Sequence, residues 1–295
     1  MSAESVAVCL PGLLRSASPG GGQSIRRHLI DPLGANVLLA LSLLPSDGCK
    51  DEESCVVAER FQHLQPIAAT ELAPARSIEW LVRTLEALPH WPAILAAHNS
   101  TGPRSVRCRR KSKWEPDESP YRCSGIYMGN SIFSPVLGSP RLSVLRQQLD
   151  ISRCLSLIHR HEQQLGRNYT RVVHSRMEFQ WLAPHPPLSM LDPESVWVPR
   201  GEDWSGLNDR HAVLSRAAAE VYMNKWQMIM DGSVMKLVRE LSQGMMPRAF
   251  NSEMLLARIL RSKRVRVSRF PPVAVLGCCN SSCLLYTSPS PRDGL

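Results

Sequence analysis

Aromatic residues make up only 6% of the 295-residue chain. No stretch alternates basic and aromatic side chains in the manner of a single-strand nucleic-acid surface. The nine cysteines include no C-x-x-C and no paired metal-ligand spacing, which argues against a zinc site. No G-x-G-x-x-G is present, and Gly20 to Gly22 lack the lysine and spacing of a P-loop, so classical dinucleotide and ATPase sites are disfavoured. No serine or cysteine sits in a nucleophile elbow. No apolar run approaches the roughly 18 residues of a membrane helix. Met1 to Leu14 lacks a basic start followed by a long apolar core, so no ordinary signal peptide is read. Localisation stays open, because either end of the chain can be truncated.

What is present is globular in composition: 43% apolar and 21% charged, enough for a sizeable core. The formal net charge is +9 and the pI about 9.3. Mild overall basicity accounts for this; so does affinity for phosphate-bearing partners, and charge alone does not choose between them. The scattered cysteines fit a reduced protein or an incomplete disulfide set equally well. Asn99, Asn168 and Asn280 stand in N-x-S/T sequons, which matter only in a secretory compartment. Cys283 to Asp293 (CLLYTSPSPRD) resembles translated sequencing adapter. Residues 283–295 are accordingly read as an adapter-derived tail with no packing pattern, and residues 1–282 as the domain.

Strand and helix signals alternate along that domain. Val6 to Leu10 reads as a buried first strand, with Pro11, Gly12 and Arg15 as the turn after it. Ser24 is placed to cap a short helix through about Leu33, and Asn36 to Leu44 reads as a second strand. Ile78 to Leu88 and Leu142 to Leu165 read as helices, the second carrying an apolar stripe and ending at Gly166. Arg171 to Phe179 and Val196 to Pro199 read as strands, and Asp209 to Met230 as mostly helix. Ser252 is expected to cap a helix from Glu253 to about Leu260, before a last strand at Val265 and Val267. Residues 99–120 read as a surface insertion, with Arg104, Arg107, Arg109, Arg110, Lys111 and Lys113 in a solvated loop. The alternation predicts a single Rossmann-like, three-layer α/β/α domain.

Two stretches concentrate the chemistry. In YTRVVHSRMEF, Val172 and Val173 lead into His174, Arg176 and Glu178. In VWVPRGEDWSGLNDRH, Val196 to Val198 lead into Glu202, Asp203, Asn208, Asp209 and Arg210. Buried strands whose ends present carboxylates and arginines beside a glycine-containing loop are how an α/β domain builds a site for a charged ligand. If the first strand runs to Phe179, Arg176 and Glu178 share a face, able to hold a divalent cation and a diphosphate together. Spacing alone favours an ordinary surface ion pair. Gly206 gives the second stretch backbone freedom. Asn208 or Asp209 could serve simply as a helix cap; alternatively the loop closes on a sugar or phosphate, with Asp203 or Asp209 taking hydroxyls. Gly12 and Arg15 could meet a phosphate, or form a plain tight turn. Glu253 stands as a further carboxylate near the sheet edge.

Taken in order, VAVCLPGLLR, YTRVVHSRMEF, VWVPRGEDWSGLNDRHAV and NSEMLLARIL with VRVSRFP resemble a little-characterised glycosyltransferase-like family, over roughly Val6 to Phe270. Its members show a G-x-x-R turn after the first strand, a strand ending R-x-D, and a G-x-N-D-R segment. The resemblance implies a nucleotide-sugar transferase of GT-A type on one Rossmann-like mixed sheet. It implies Mn²⁺ or Mg²⁺ on the donor diphosphate, held at Glu178, which stands where the family has aspartate. It places Gly12, Arg15 and Arg176 by the donor, and Asp203, Gly206, Asn208 and Arg210 by the sugar or acceptor. Asp209 or Glu253 would be the catalytic carboxylate. Pro11 also departs from the family, where a small polar residue is usual. The implied partners are a nucleotide-sugar donor and a hydroxyl-bearing acceptor. A non-catalytic nucleotide-sugar or glycan binder on the same fold, and a basic nucleic-acid-binding module, are the competing readings.

Overall fold

A computed structural model describes residues 4–14, 21–44, 59–99, 107–115, 118–124, 131–138, 143–242 and 251–276. Arg15, Arg104, Asn280 and the tail read as adapter lie outside the described residues.

The chain begins β1 (Val6–Leu13), α1 (Gly21–Ile25), α2 (Asp31–Leu33), β2 (Asn36–Leu43) and β3 (Ile67–Pro74). It continues with α3 (Ile78–Glu86), α4 (Trp91–His98), the hairpin β4 (Arg107–Arg110) and β5 (Tyr121–Ser124), and α5 (Val144–Leu165). Then come β6 (Arg171–Ser175), β7 (Phe179–Trp181), β8 (Ser195–Pro199), β9 (His211–Ser215), α6 (Arg216–Tyr222), α7 (Lys225–Met230) and α8 (Met235–Ser242). The last elements are α9 (Ser252–Ser262), β10 (Arg266–Phe270) and β11 (Ala274–Leu276).

Seven strands form one sheet in the order β10-β8-β9-β6-β1-β2-β3. β1 runs parallel to both β2 and β6, β2 parallel to β3, and β8 parallel to β10. β9 alone is antiparallel to its neighbours β6 and β8. Period-two alternation gives the sheet two apolar faces. Ala7, Cys9, Leu38, Ala40, Val172 and Leu214 face a layer containing Ile151, Cys154 and Ile158 of α5, with residues of α6 and α9. Val6, Val8, Leu10, Val37, Leu39 and Val173 face the other side, with Ile25, Leu29 and Trp181. The fold is thus a Rossmann-like α/β/α arrangement on a mixed sheet. A third apolar cluster joins α3, α4, α7 and α8 to the β4–β5 hairpin.

Several expected elements are changed by tertiary pairing. β1 continues through Pro11 and Gly12 to Leu13, so these residues are strand rather than turn. Its pairing with β6 stops at Cys9, while β2 continues beside it to Leu13. The missing N–H of Pro11 is tolerated where one neighbour has ended. Ser24 lies inside α1: its hydroxyl donates to Gly21 O at 3.0 Å and accepts from Trp181 N at 3.0 Å, tying β7 to the helix. The strand expected over 171–179 is broken after Ser175, with Met177 and Glu178 in a turn. Residues 209–215 are not helical. His211–Ser215 is a buried strand, and Ser215 caps the helix that follows by accepting from Ala218 N at 3.1 Å. Asn251, not Ser252, caps α9, accepting from Met254 N at 2.7 Å. Within 99–120, β4 pairs with β5 and buries Cys108. There Arg110 and Lys111 pair with Glu86 and Glu118.

Two disulfides are present among the described residues. Cys9–Cys154 joins β1 to α5 across 145 residues, and Cys108–Cys123 crosses the β4–β5 hairpin.

Candidate functional site

From β1 the chain passes to β2 and β3 on one side, and β6 lies on the other. The carboxyl ends of β1 and β6 therefore meet at the topological switch point of the sheet, where α/β folds leave a crevice for ligands. Gly12 sits at the β1 end with φ 144°, and a Cβ there would lie 3.4 Å from Met177 Cε. Met177 thus closes over β1, and the residue beside it, Arg176, stands at the β6 end.

Antiparallel pairing joins the two charged stretches. β6 and β9 are in register from Arg171↔Ser215 to Ser175↔His211. The ladder runs one step further, with Arg176 N donating to Arg210 O at 3.1 Å. Asp209 follows on the β9 side and is 2% exposed. Its carboxylate lies 3.6 Å from the Arg176 guanidinium and 3.8 Å from Lys225 Nζ. Ser252 Oγ donates to it at 2.5 Å, and Gln148 Nε2 donates to Ser252 Oγ at 2.8 Å. Arg176 also donates to Gln147 Oε1 at 3.0 Å. The start of α5, the end of β6 and the start of α9 thus converge on one buried carboxylate. Lys225 is fully buried and packs over the Tyr222 ring at 5.4 Å. Lys225 Nζ, Tyr222 Oη and Asp209 Oδ1 have no partner at hydrogen-bond distance among the described residues.

Two carboxyls here are driven in opposite directions. Burial pushes Asp209 up, but the charges of Lys225 and Arg176 and the Ser252 hydrogen bond outweigh it and hold the carboxyl at about 2. Glu253, half-buried at the start of α9, is raised above its ordinary value by burial and by the neighbouring Asp209 charge, against opposition from Arg210 and Arg176. Lys225 is lowered by burial, offset in part by Asp209. A pair of carboxyls with separated pKa values divides the roles of fixed charge and proton carrier.

The loop from Gly201 to Asn208 is held on all sides. Asp203 makes a two-point ion pair with Arg269 at 2.7 and 3.0 Å and accepts from Asn208 N at 2.9 Å. Asn208 donates to Gly201 O and accepts from Arg210 N at 3.0 Å. It is therefore a turn residue rather than a helix cap. Arg210 pairs with Glu202 at 3.0 Å. Asn251 donates to Trp204 O at 2.7 Å. A Cβ at Gly206 would overlap the backbone of Glu253, so the close approach of loop and α9 requires glycine there. Glu202, Trp204 and Ser205 all have positive φ, at 57°, 44° and 71°. Strain of this kind persists only where the surroundings fix it, and here it presents Trp204 at 59% exposure.

Of the residues expected in the site, Arg176, Asp209, Arg210 and Glu253 are brought together. Gly206, Asn208 and Asp203 act on the backbone of the adjoining loop. Glu178 lies in the turn after β6, and it makes no hydrogen bond or ion pair with the described residues. Among the described residues, no group of three or more His, Cys, Asp or Glu side chains is placed to hold a metal ion. Asp209 is already committed to two cations and a hydroxyl. No chemical step below is assigned to Mn²⁺ or Mg²⁺. Lys225, Tyr222 and Gln147 belong to the site without having been expected there. Lys225 alone left a trace in the sequence, as a single cation before the apolar run WQMIM.

Buried histidines make the fold acid-sensitive. Burial lowers His174 to about 3, with Lys225 adding to the effect, and lowers His98 and His185 each to about 4. All three are neutral in the fold and titrate near 6.5 when unfolded. Their contribution is complete above about pH 6.5 and is lost as pH falls toward 4 and then 3, because the unfolded chain takes up protons first. The expected slope is about 1.4 kcal/mol per pH unit for each histidine. Asp209 adds a later loss, between 3.8 and about 2. Thermal melts between pH 7.5 and 5 should show a falling midpoint; a flat midpoint would contradict this account.

A family model described as "Domain of unknown function (DUF7796)" matches residues 141–276, from the start of α5 to the end of β11. No curated protein sequence matches the chain. Among solved structures, apo mouse xyloside xylosyltransferase 1 is similar with a TM-score of 0.37 and 8% identity, covering 90% of this chain and 84% of that one.

Proposed function

We propose that this protein is a nucleotide-sugar-dependent glycosyltransferase that moves a sugar to a hydroxyl acceptor. One observation carries the reading. At the switch point of the sheet, Arg176 and Lys225 converge on an ionised Asp209, and the carboxyl of Glu253, whose pKa is raised, shares their field. A departing nucleoside diphosphate needs fixed positive charge, and an acceptor hydroxyl needs a proton carrier.

In this reading Asp209 does not take the acceptor proton. It is buried, held near 2, and positions Arg176 by ion pairing. Arg176, partly exposed at the crevice, meets the diphosphate, with Arg210 beside it. Glu253 accepts the proton of the acceptor hydroxyl as the sugar–phosphate bond breaks. Trp204 offers a flat apolar face to a sugar ring on the acceptor side, while the space over Gly12 is taken by Met177.

The test is a screen of UDP- and GDP-sugars for hydrolysis or transfer to simple hydroxyl acceptors. Turnover of at least one donor is expected. Binding without turnover would favour the non-catalytic binder on the same fold, and a response to none would remove both readings.

A further inference from the structure

We infer that Asn168 carries an N-linked glycan, on a chain that folds in an oxidising secretory lumen. This inference is independent of the proposed transferase activity. Its first support is the buried Cys9–Cys154 disulfide. Both cysteines are 0% exposed, and they tie the first strand to the longest helix across 145 residues. A second disulfide, Cys108–Cys123, pins the β4–β5 hairpin. Structural disulfides of this kind persist in secretory and extracellular compartments and are rare where thiols are kept reduced. Such a lumen is also where N-x-S/T sequons are acted upon.

The fold then separates the sequons. Asn168 is exposed, in the loop after Gly166 ends α5. Thr170, the third residue of its sequon, exchanges hydrogen bonds with the backbone of Ser5 at 3.0 and 3.1 Å. The loop therefore lies at the amino edge of β1 and β6. Arg176 stands at the opposite, carboxyl edge, about 20 Å along the strand at 3.3 Å per residue. A bulky glycan at Asn168 stands away from Arg176 and Asp209. Asn99 is different: its amide donates to Cys108 O at 2.9 Å and its carbonyl accepts from Cys108 N at 2.7 Å. A glycan there would disturb the start of β4 beside the buried Cys108. Asn280 lies outside the described residues.

The modification is a group transfer to the nascent chain, before Thr170 closes onto Ser5. An oligosaccharide leaves a lipid diphosphate as its C1–O bond breaks. A C1–N bond forms to Asn168 Nδ2, and the amide proton leaves with the diphosphate product. The test is peptide mapping, without reduction, of the protein isolated from the cells that make it. Enzymatic deglycosylation in H₂¹⁸O marks occupied asparagines. The expected result is label at Asn168, none at Asn99, and Cys9 and Cys154 peptides recovered as one linked species. Asn168→Gln should remove one glycan from the gel mobility and leave the thermal midpoint unchanged. An unlabelled Asn168 overturns the inference, as do free thiols at Cys9 and Cys154.

Discussion

Asp209→Ala is expected to destabilise the protein by about 3–5 kcal/mol, the cost of leaving buried cations without their counter-charge. Asp209 is 2% exposed and Lys225 is 0% exposed. Neither can turn to water when its partner is removed. The same substitution loosens Arg176, whose guanidinium faces Asp209 from 3.6 Å. A paired substitution separates charge compensation from packing. Asp209→Ala with Lys225→Met removes the buried ammonium together with its carboxylate, and apolar replacement of a buried ion pair is often neutral or better. The double variant should therefore be more stable than Asp209→Ala alone. Urea denaturation of the wild type, both single variants and the double variant closes the cycle. Strict additivity would show that Lys225 and Asp209 do not act on one another.

Glu253→Gln should lower turnover by about 10²–10⁴-fold, the range for loss of a positioned general base. Donor affinity should stay within a few-fold of wild type, because the cations that meet the diphosphate are untouched. The pH profile carries the sharper signature. Glu253 must be ionised to accept a proton, and burial with the Asp209 charge raises its pKa. Wild-type activity should fall as pH drops through that raised value, and the residual activity of the glutamine variant should lose this limb. Glutamine keeps the side-chain length and the start of α9, so the fold should survive. Wild-type turnover by the variant would remove Glu253 from the chemistry.

Much of the sheet is written in local pattern, because β1, β2 and β8 are largely apolar runs and a strand buried on both faces needs little else. Where the pattern failed, a competing propensity was overruled by pairing. HAVLSRAAAEV reads as helix, yet its first five residues are β9, inserted between β6 and β8. That insertion brings Asp209 and Arg210 to Arg176, so the assembly of the site depends on the one strand that local propensity hides. β3, a half-exposed edge strand of mixed composition, has no clean alternation to announce it. A β6 that continued to Phe179 would set Glu178 beside Arg176; the break after Ser175 removes that geometry. Gln147 and Gln148 contribute from the start of α5, Gln147 lying 29 residues before Arg176, and no spacing rule connects them to it. Nor does any spacing rule connect Cys9 to Cys154.

The Gly201–Asn208 loop is secured by its own polar side chains. Asp203, Asn208 and Asn251 spend their polar atoms on backbone and on Arg269, not on the crevice. Their work is to hold Gly206 against α9, which fixes Glu253 and Ser252 relative to Asp209. Substituting them should shift donor affinity and turnover together.

Calorimetric titration of UDP- and GDP-sugars onto the wild type and Arg176→Gln tests whether Arg176 meets a donor diphosphate. Loss of hydrogen bonds to a charged group is worth about 1.5–3 kcal/mol, so the variant should bind the responsive donor about 10–100-fold more weakly. Equal affinity of the two proteins, or no heat with any donor on the wild type, would contradict a nucleotide-sugar site at the ends of β1 and β6.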